Sequence, residues 1–172
     1  LVLLHRADSI YDDEPDVKYD FPKTYLKAVK EAVGDWIVYY EPVKAGPRGY
    51  FAVAKISTVI SKPGQEGRYL ALIEPGSYLP LDNEVPRLID GRPVETSLAE
   101  SDGTPKKGGS QQLAVRRLPE ADFARIVNLG LPPDLEAIEA ARYEEVSYEL
   151  REAQTPFSRP VIERLTRRPY RD

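Results

Sequence analysis

The stretch that decides the fold reads GDWIVYYEP at residues 34–42 and is followed by YFAVAKI at residues 50–56. Both runs are rich in β-branched and aromatic residues, and the first begins at a Gly-Asp turn and ends at a proline, as strands commonly do. The few polar, Gly and Pro residues between them favour a hairpin. Apolar residues occupy adjacent as well as alternate positions, so both faces of the hairpin are predicted to be covered.

The composition excludes several kinds of chemistry. The chain has 172 residues, a formal net charge of -4, no cysteine and a single histidine, His5. The lack of cysteine removes disulfides, thiolate catalysis and cysteine-ligated zinc, and a lone histidine removes multi-histidine metal sites. Acidic residues are plentiful, but they have no partner Cys or Gly-rich phosphate loop, so this chain is predicted not to be an enzyme by itself.

The sequence also predicts a piece of a longer, cytoplasmic protein. It contains no methionine, not even an initiator, which indicates that the chain has been trimmed. No apolar run approaches the roughly 18 to 20 residues that cross a bilayer, and the opening LVLL is too short for the core of a signal peptide. A membrane partner is therefore not expected.

The order of elements predicts an α+β fold, a strongly bent sheet or partial β-barrel with flanking helices. Besides the hairpin, strands are expected at residues 1–4, 68–73 and 111–118, and helices at residues 21–34 and 119–130. The acidic stretch before residue 21 predicts a loop that carries several aromatic side chains. Prolines between residues 77 and 93 suit an edge strand or an ordered loop.

The chain divides into two parts near residue 131. Residues 1–131 hold the predicted sheet and helices, whereas residues 132–172 change to an Ala- and Glu-rich helical stretch that ends in prolines and arginines. We interpret the second part as a linker toward a missing partner domain, with a solvated helical tail as the alternative.

This order resembles the PUA-like superfamily and, within it, the EVE and YTH domains, over roughly residues 1–130. The specific points are the polar stretch His5 to Ser9 after the first strand, Gly34-Asp35 before an apolar strand, and Gly49 to Ile56 as its partner. The stretches His5 to Tyr11 and Tyr19 to Leu26 also look like the N-terminal domain of bacterial HNH-type, modification-dependent restriction endonucleases.

The resemblance implies a reader of a modified nucleobase, which such domains flip from the duplex into an aromatic pocket. N6-methyladenine is the first choice, because look-alike readers bind it, and 5-methylcytosine and 5-hydroxymethylcytosine come second. An extruded base needs flat walls that replace its lost stacking and polar groups that read its edge. The predicted pocket residues are Asp8, Ser9, Tyr11, Tyr19, Phe21, Tyr40, Tyr69 and Gln111.

A place in the core is the competing interpretation for most aromatic residues. YTH domains use tryptophans in the pocket, whereas the lone Trp36 lies on the central strand. Trp36, Tyr39 and Tyr40 are predicted to be core residues, with Tyr40 the one expected to show its hydroxyl. Phe21 fits pocket and core equally well. His5 is predicted to be a strand-end histidine with satisfied hydrogen bonds.

Basic residues in predicted loops suit contacts with phosphates, which position a duplex without reading its sequence. These residues are Lys44, Arg48, Lys106, Lys107, Arg116 and Arg117. For each of them a solvated surface is the alternative. The expected partner is double-stranded DNA that carries a modified base, and a dimer through the missing C-terminal part is a further prediction. No cofactor or metal is expected in this chain, and a divalent metal would belong to the missing HNH nuclease domain.

A different class of function stays open, namely an RNA-binding or small-molecule-binding PUA-like module without a nuclease. The sequence does not separate these functions, because each of them needs an aromatic cleft. An HNH motif in the reading frame beyond Asp172 would decide the broader role.

Overall fold

A computed structural model describes residues 1–6, 13–42 and 49–132 of the chain. These residues form a mixed α+β fold of short strands, one long strand and two α-helices. In chain order the elements are β1 (Val2–Leu4), β2 (Lys18–Pro22), α1 (Leu26–Glu31), β3 (Trp36–Tyr40), β4 (Tyr50–Ser61), β5 (Arg68–Ile73), β6 (Leu79–Val85), β7 (Leu88–Ile89), β8 (Arg92–Pro93), β9 (Val115–Arg116) and α2 (Glu120–Gly130).

One bent sheet organises these elements. Its strands follow the order β2-β5-β4-β3-β1-β9, and β6 pairs with β4 beside this path. β1 runs parallel to β3, and the other pairs in the sheet are antiparallel. The first half of β4 pairs with β3 and β6, and its second half pairs with β5. Because one long strand serves both halves, the sheet bends along β4 in the manner of a partial barrel.

The predicted hairpin is the centre of this sheet. β3 and β4 pair in antiparallel register, with Val38 opposite Val53. Val38 belongs to the core cluster that α2 covers, whereas Ile37 and Tyr39 belong to a second cluster on the opposite face. The prediction that both faces are covered is therefore confirmed. Since side chains alternate along a strand, two cores explain why β3 is apolar at nearly every position.

A buried ion pair ties the segment that precedes β9 to the sheet. Arg116 is 6 % exposed and Glu95 is fully buried, with Nη2 of the arginine 2.6 Å from Oε1 of the glutamate. The Tyr50 hydroxyl donates to the same carboxylate oxygen at 2.7 Å. Nη1 of Arg116 donates to the backbone carbonyl of Gln111 at 2.9 Å. Burial alone would lower the pKa of Arg116, but hydrogen bonding to Glu95 and its charge raise it.

Several predicted elements are confirmed and others need correction. β1, β5 and α2 confirm the strands at residues 1–4 and 68–73 and the last helix. The prediction of an aromatic loop before residue 21 is wrong in part. Tyr19 and Phe21 lie on one buried face of β2, which pairs with β5. The helix predicted after it therefore starts later, beyond the extended Pro22. The strand predicted at residues 111–118 is shorter in the structure, where it consists of β9 alone. Gln111 lies in a 3-10 turn before it.

The second predicted part of the chain falls almost entirely outside the described residues. Residues 133–172 belong there, so the linker and its partner domain stay predictions. Within the described ranges, no helix is both long enough and apolar enough to cross a membrane.

Candidate functional site

An aromatic cluster lies on the face of the sheet opposite α2. The rings of Tyr39 and Phe51 stack, with centroids 5.8 Å apart and planes at 24°. His5 meets the Phe51 ring edge-on at 5.7 Å. Tyr19 and Tyr78 lie tilted against Tyr39, with centroids at 6.4 and 6.3 Å. We call these five residues the Tyr39 cluster.

A β-bulge explains why Phe51 belongs to this cluster. Tyr39 pairs with Ala52 but Tyr40 pairs with Tyr50, so Phe51 is the extra residue on β4. A bulge inserts one residue into the alternation, so that two consecutive side chains share a face. Phe51 and Ala52 accordingly both lie in the core cluster that contains Tyr39. The bulge therefore directs the Phe51 ring onto Tyr39.

Two buried polar atoms in the Tyr39 cluster have no hydrogen-bond partner. They are Nδ1 of His5 and the hydroxyl of Tyr39, and no other side-chain atom in the described part of the chain shares this state. The neighbouring Tyr19 hydroxyl, in contrast, lies 2.8 Å from the carbonyl oxygen of Ala114. Burial raises the pKa of Tyr39 well above its usual value, so this hydroxyl stays protonated. Buried polar atoms are nearly always paired, so two exceptions within one cluster call for an explanation.

Asp13 adds a carboxyl group at the edge of the cluster. Its Oδ1 accepts a hydrogen bond from the backbone N–H of Asp20 at 2.7 Å. Burial raises the pKa of Asp13, although the hydrogen bond from Asp20 and, more weakly, the charge of His5 oppose this shift. Asp13, His5 and Tyr78 are partly exposed, whereas Tyr39 is fully buried. These three residues therefore form the solvent side of the site.

Of the predicted pocket residues that the structure describes, only Tyr19 belongs to the Tyr39 cluster. Phe21 and Tyr69 form a separate stacked pair, with centroids 6.0 Å apart, across β2 and β5. Phe21 is fully buried and Tyr69 is partly buried. The assignment of Phe21 to an open pocket is therefore corrected, since its whole surface is used in packing the core.

Tyr40 and Gln111 lie away from the Tyr39 cluster, so their assignment to the same pocket is also corrected. Tyr40 is 3 % exposed on the opposite face of β3, where its ring centroid lies 5.1 Å from Cζ of Arg116. Gln111 is partly buried, and its Oε1 accepts a hydrogen bond from Arg87 at 3.3 Å. The alternation of the strand separates Tyr40 from Tyr39. The predicted residues Asp8, Ser9 and Tyr11 lie outside the described residues.

The basic residues that were predicted to contact phosphates differ in burial and in their ion pairs. Arg116 is corrected, because a guanidinium that is buried against Glu95 is not available to a phosphate. Arg117 is exposed and pairs with Glu31. Lys106 and Lys107 are exposed, and Nζ of Lys106 donates to a backbone carbonyl at 3.0 Å. The remaining two, Lys44 and Arg48, lie outside the described residues.

Sequence reasoning missed most members of the site. His5 was expected to have satisfied hydrogen bonds, yet its Nδ1 is buried and unpartnered. Tyr39 is a core residue as predicted, but its hydroxyl is unpaired. One signal was present, because two adjacent tyrosines in a strand with two covered faces send one hydroxyl to each face. The bulge that brings Phe51 to the site has no comparable signal in the sequence.

A separate surface cavity of about 500 Å³ lies beside Trp36. Its lining includes Phe123 and the exposed ion pair of Glu31 and Arg117. Trp36 was predicted to be a core residue, but it is only half-buried, with Nζ of Lys55 5.5 Å from its ring centroid. This cavity contains neither of the unpartnered polar atoms, so the Tyr39 cluster is the stronger candidate. Within the described ranges, no group of three or more metal-ligating side chains lies together.

No family model, curated protein or solved structure matches this chain. The resemblance to the PUA-like superfamily therefore stays a prediction. What the site can do has to be argued from its own geometry.

Proposed function

We propose that this chain is a PUA-like reader that binds a modified base flipped from double-stranded DNA, on behalf of a nuclease domain in a longer protein. N6-methyladenine is the first choice of base. The observation that carries the proposal is the presence of two unpartnered polar atoms, from His5 and Tyr39, inside an aromatic cluster. The bent sheet and its flanking helices are compatible with the predicted superfamily.

The energetic argument concerns the unpaired atoms. A buried polar group without a hydrogen bond costs about 1–3 kcal/mol of stability. Such a cost is typically retained where a functional site needs it. The Tyr39 hydroxyl donates and accepts, and Nδ1 of His5 does either according to its tautomer. In their chemistry both atoms match the edge of a nucleobase, which offers donors and acceptors side by side. Tyr39 is fully buried, so binding would require the partly exposed His5 or Tyr78 to move aside.

The aromatic residues supply the second part of the argument. A flipped base loses the stacking of its neighbours, and stacking on a protein ring is worth about 1–3 kcal/mol per base. Phe51 is buried and Tyr78 is partly exposed, so a base that enters from the solvent side of the cluster would contact Tyr78 first. An added methyl group on the base would gain further from apolar contact with these rings.

The test compares four duplexes of one sequence, which carry no modification, N6-methyladenine, 5-methylcytosine or 5-hydroxymethylcytosine. Fluorescence anisotropy with the full chain should show tighter binding to one modified duplex than to the unmodified one. Tyr39→Phe removes one hydroxyl from the site. It should reduce the preference for the modified duplex about five- to tenfold, which corresponds to one lost hydrogen bond of about 1 kcal/mol or slightly more.

Tyr40→Phe is the matched control, because it removes the same atom from the adjacent residue on the opposite face. It should leave the preference unchanged. Equal affinity of the wild-type chain for all four duplexes in several sequence contexts would overturn the proposal. An equal loss in both variants would move the site away from Tyr39.

A further inference from the structure

A row of lysines follows β2 on the surface. Lys23, Lys27 and Lys30 are exposed on the 3-10 turn and α1 that continue from this strand. Their spacing of four and three residues places them on one helical face, while Val29 on the other side is buried in the core. None of the three lysines forms an ion pair with another described residue.

Two more cations extend this row. The backbone N–H of Lys23 donates to the carbonyl of Gly67 at 2.9 Å, which holds the β4–β5 turn alongside. At the base of that turn, Lys62 and Arg68 both bind the carboxylate of Asp20, at 2.6 and 2.8 Å. These two cations share one buried anion, and the partly buried Asp13 also interacts electrostatically with Arg68.

The region is basic within an acidic chain. Residues 20–31 and 62–68 contain five basic residues against three acidic ones, Asp20, Glu31 and Glu66, and Glu31 pairs with Arg117 outside the region, whereas the whole chain has a net charge of -4. Like charges three and four residues apart repel one another and destabilise a helix. A polyanion that lies along the row would relieve this repulsion and release its own counterions.

The geometry points to this row as the surface that holds the sugar-phosphate backbone of DNA, an inference that rests on the proposed function. We call the surface the lysine face, and it consists of Lys23, Lys27, Lys30, Lys62 and Arg68. Lysine is a flexible point charge, which suits contacts that position a duplex without reading its bases. Lys23 lies four residues beyond Tyr19 of the cluster, a span of about 13 Å in extended chain. That distance corresponds to about four nucleotides of one strand at ~3.4 Å each.

The test measures how binding of an unmodified duplex depends on salt. The first variant of the full chain combines Lys23→Gln, Lys27→Gln and Lys30→Gln. The control combines Arg92→Gln and Arg125→Gln, which removes exposed cations elsewhere that are not predicted to contact phosphate. Each lost phosphate contact lowers the slope of log affinity against log salt concentration by about 0.9. The magnitude of this slope should therefore fall by about 2 to 3 in the first variant and by less than about 1 in the control.

The two proposals fail in different ways. Equal changes of slope in both variants, or no change in the first, would overturn the lysine face even if the preference for a modified duplex persists. The expected change of slope without any such preference would overturn base reading and leave the lysine face as a general DNA contact. Tighter binding of the wild-type chain to vesicles of anionic phospholipid than to the duplex would overturn the assignment to DNA.

Discussion

Tyr39 and Tyr40 are neighbours on β3, and both are buried. The two sides of the strand differ in whether the buried polar atoms have hydrogen-bond partners. On the Tyr40 side, every nitrogen of the Arg116 guanidinium has a partner, from the Glu95 carboxylate to backbone carbonyls. On the Tyr39 side, the hydroxyl itself and Nδ1 of His5 have none. Burial is therefore not what distinguishes the two faces. The faces differ in whether their buried polar atoms are paired, and the proposed function assigns binding to the unpaired side.

The largest effect that this comparison predicts concerns the paired face. Arg116→Met would leave the Glu95 carboxylate buried without its cation, which should lower the free energy of unfolding by about 3–5 kcal/mol. Urea denaturation followed by circular dichroism would measure it. The double variant Arg116→Met/Glu95→Gln should recover part of the loss, because no unpaired charge is left.

Arg117→Met is the control for this experiment. Arg117 follows Arg116 in sequence, but its ion pair with Glu31 is exposed, so little change is expected. Equal losses in the two single variants would contradict the role assigned to burial on this face.

A smaller effect is expected at Asp20, which tests whether paired charges on β2 behave like the network around Arg116. Burial alone would raise the pKa of Asp20, but hydrogen bonds from Lys62 and Arg68, together with their charges, lower it. A carboxyl whose pKa is depressed in the folded state stabilises the fold above its unfolded-state pKa of about 3.9. This stability is lost as pH falls through the lower folded-state value.

Asp20→Asn should therefore lower the free energy of unfolding by about 1–2 kcal/mol at pH 7, a figure reduced for the partial exposure of both cations. The difference from the wild type should shrink below about pH 4. Denaturation curves at several pH values would measure this, with Glu66→Gln in the nearby exposed turn as a control that shows no such dependence. A constant difference from pH 7 to pH 3 would contradict the assignment.

The smallest effect has the opposite sign. Tyr39→Phe removes an unpaired buried hydroxyl, so it should raise the free energy of unfolding of the free protein by about 1 kcal/mol. Tyr40→Phe keeps an aromatic ring beside Arg116 and should change stability little. Thermal unfolding of the two variants would measure the contrast. A loss of stability in Tyr39→Phe would show that the hydroxyl has a partner, and would remove the observation on which the proposed function rests.

The elements that the sequence predicts well are those with a local pattern. The central hairpin has bounded apolar runs, and α2 has apolar residues at helical spacing. β2 escaped prediction because Tyr19 and Phe21 follow acidic residues and a proline, and pairing with β5 decides their structure. Arg116 has the appearance of a surface residue in sequence, and its burial depends on Glu95, far away along the chain.

The site was less predictable than the fold. Tyr39 and Tyr40 are equivalent in sequence, and only the arrangement of the sheet decides which hydroxyl is buried without a partner. Phe51 joins the cluster through a one-residue bulge, and a bulge depends on the register between two strands. His5 resembles many strand-end histidines, and its unpartnered nitrogen is a property of three-dimensional packing.

The position of β1 between two strands from distant parts of the chain has a consequence for synthesis. Val2 pairs with Val38 on one side and with Arg116 on the other. At about 5–20 residues per second, the ribosome needs roughly 4 to 16 s to advance the 78 residues from Val38 to Arg116. During this interval the nascent chain can close one side of β1, while the other stays open to wrong pairing. A strand of only three residues keeps that temporary edge short.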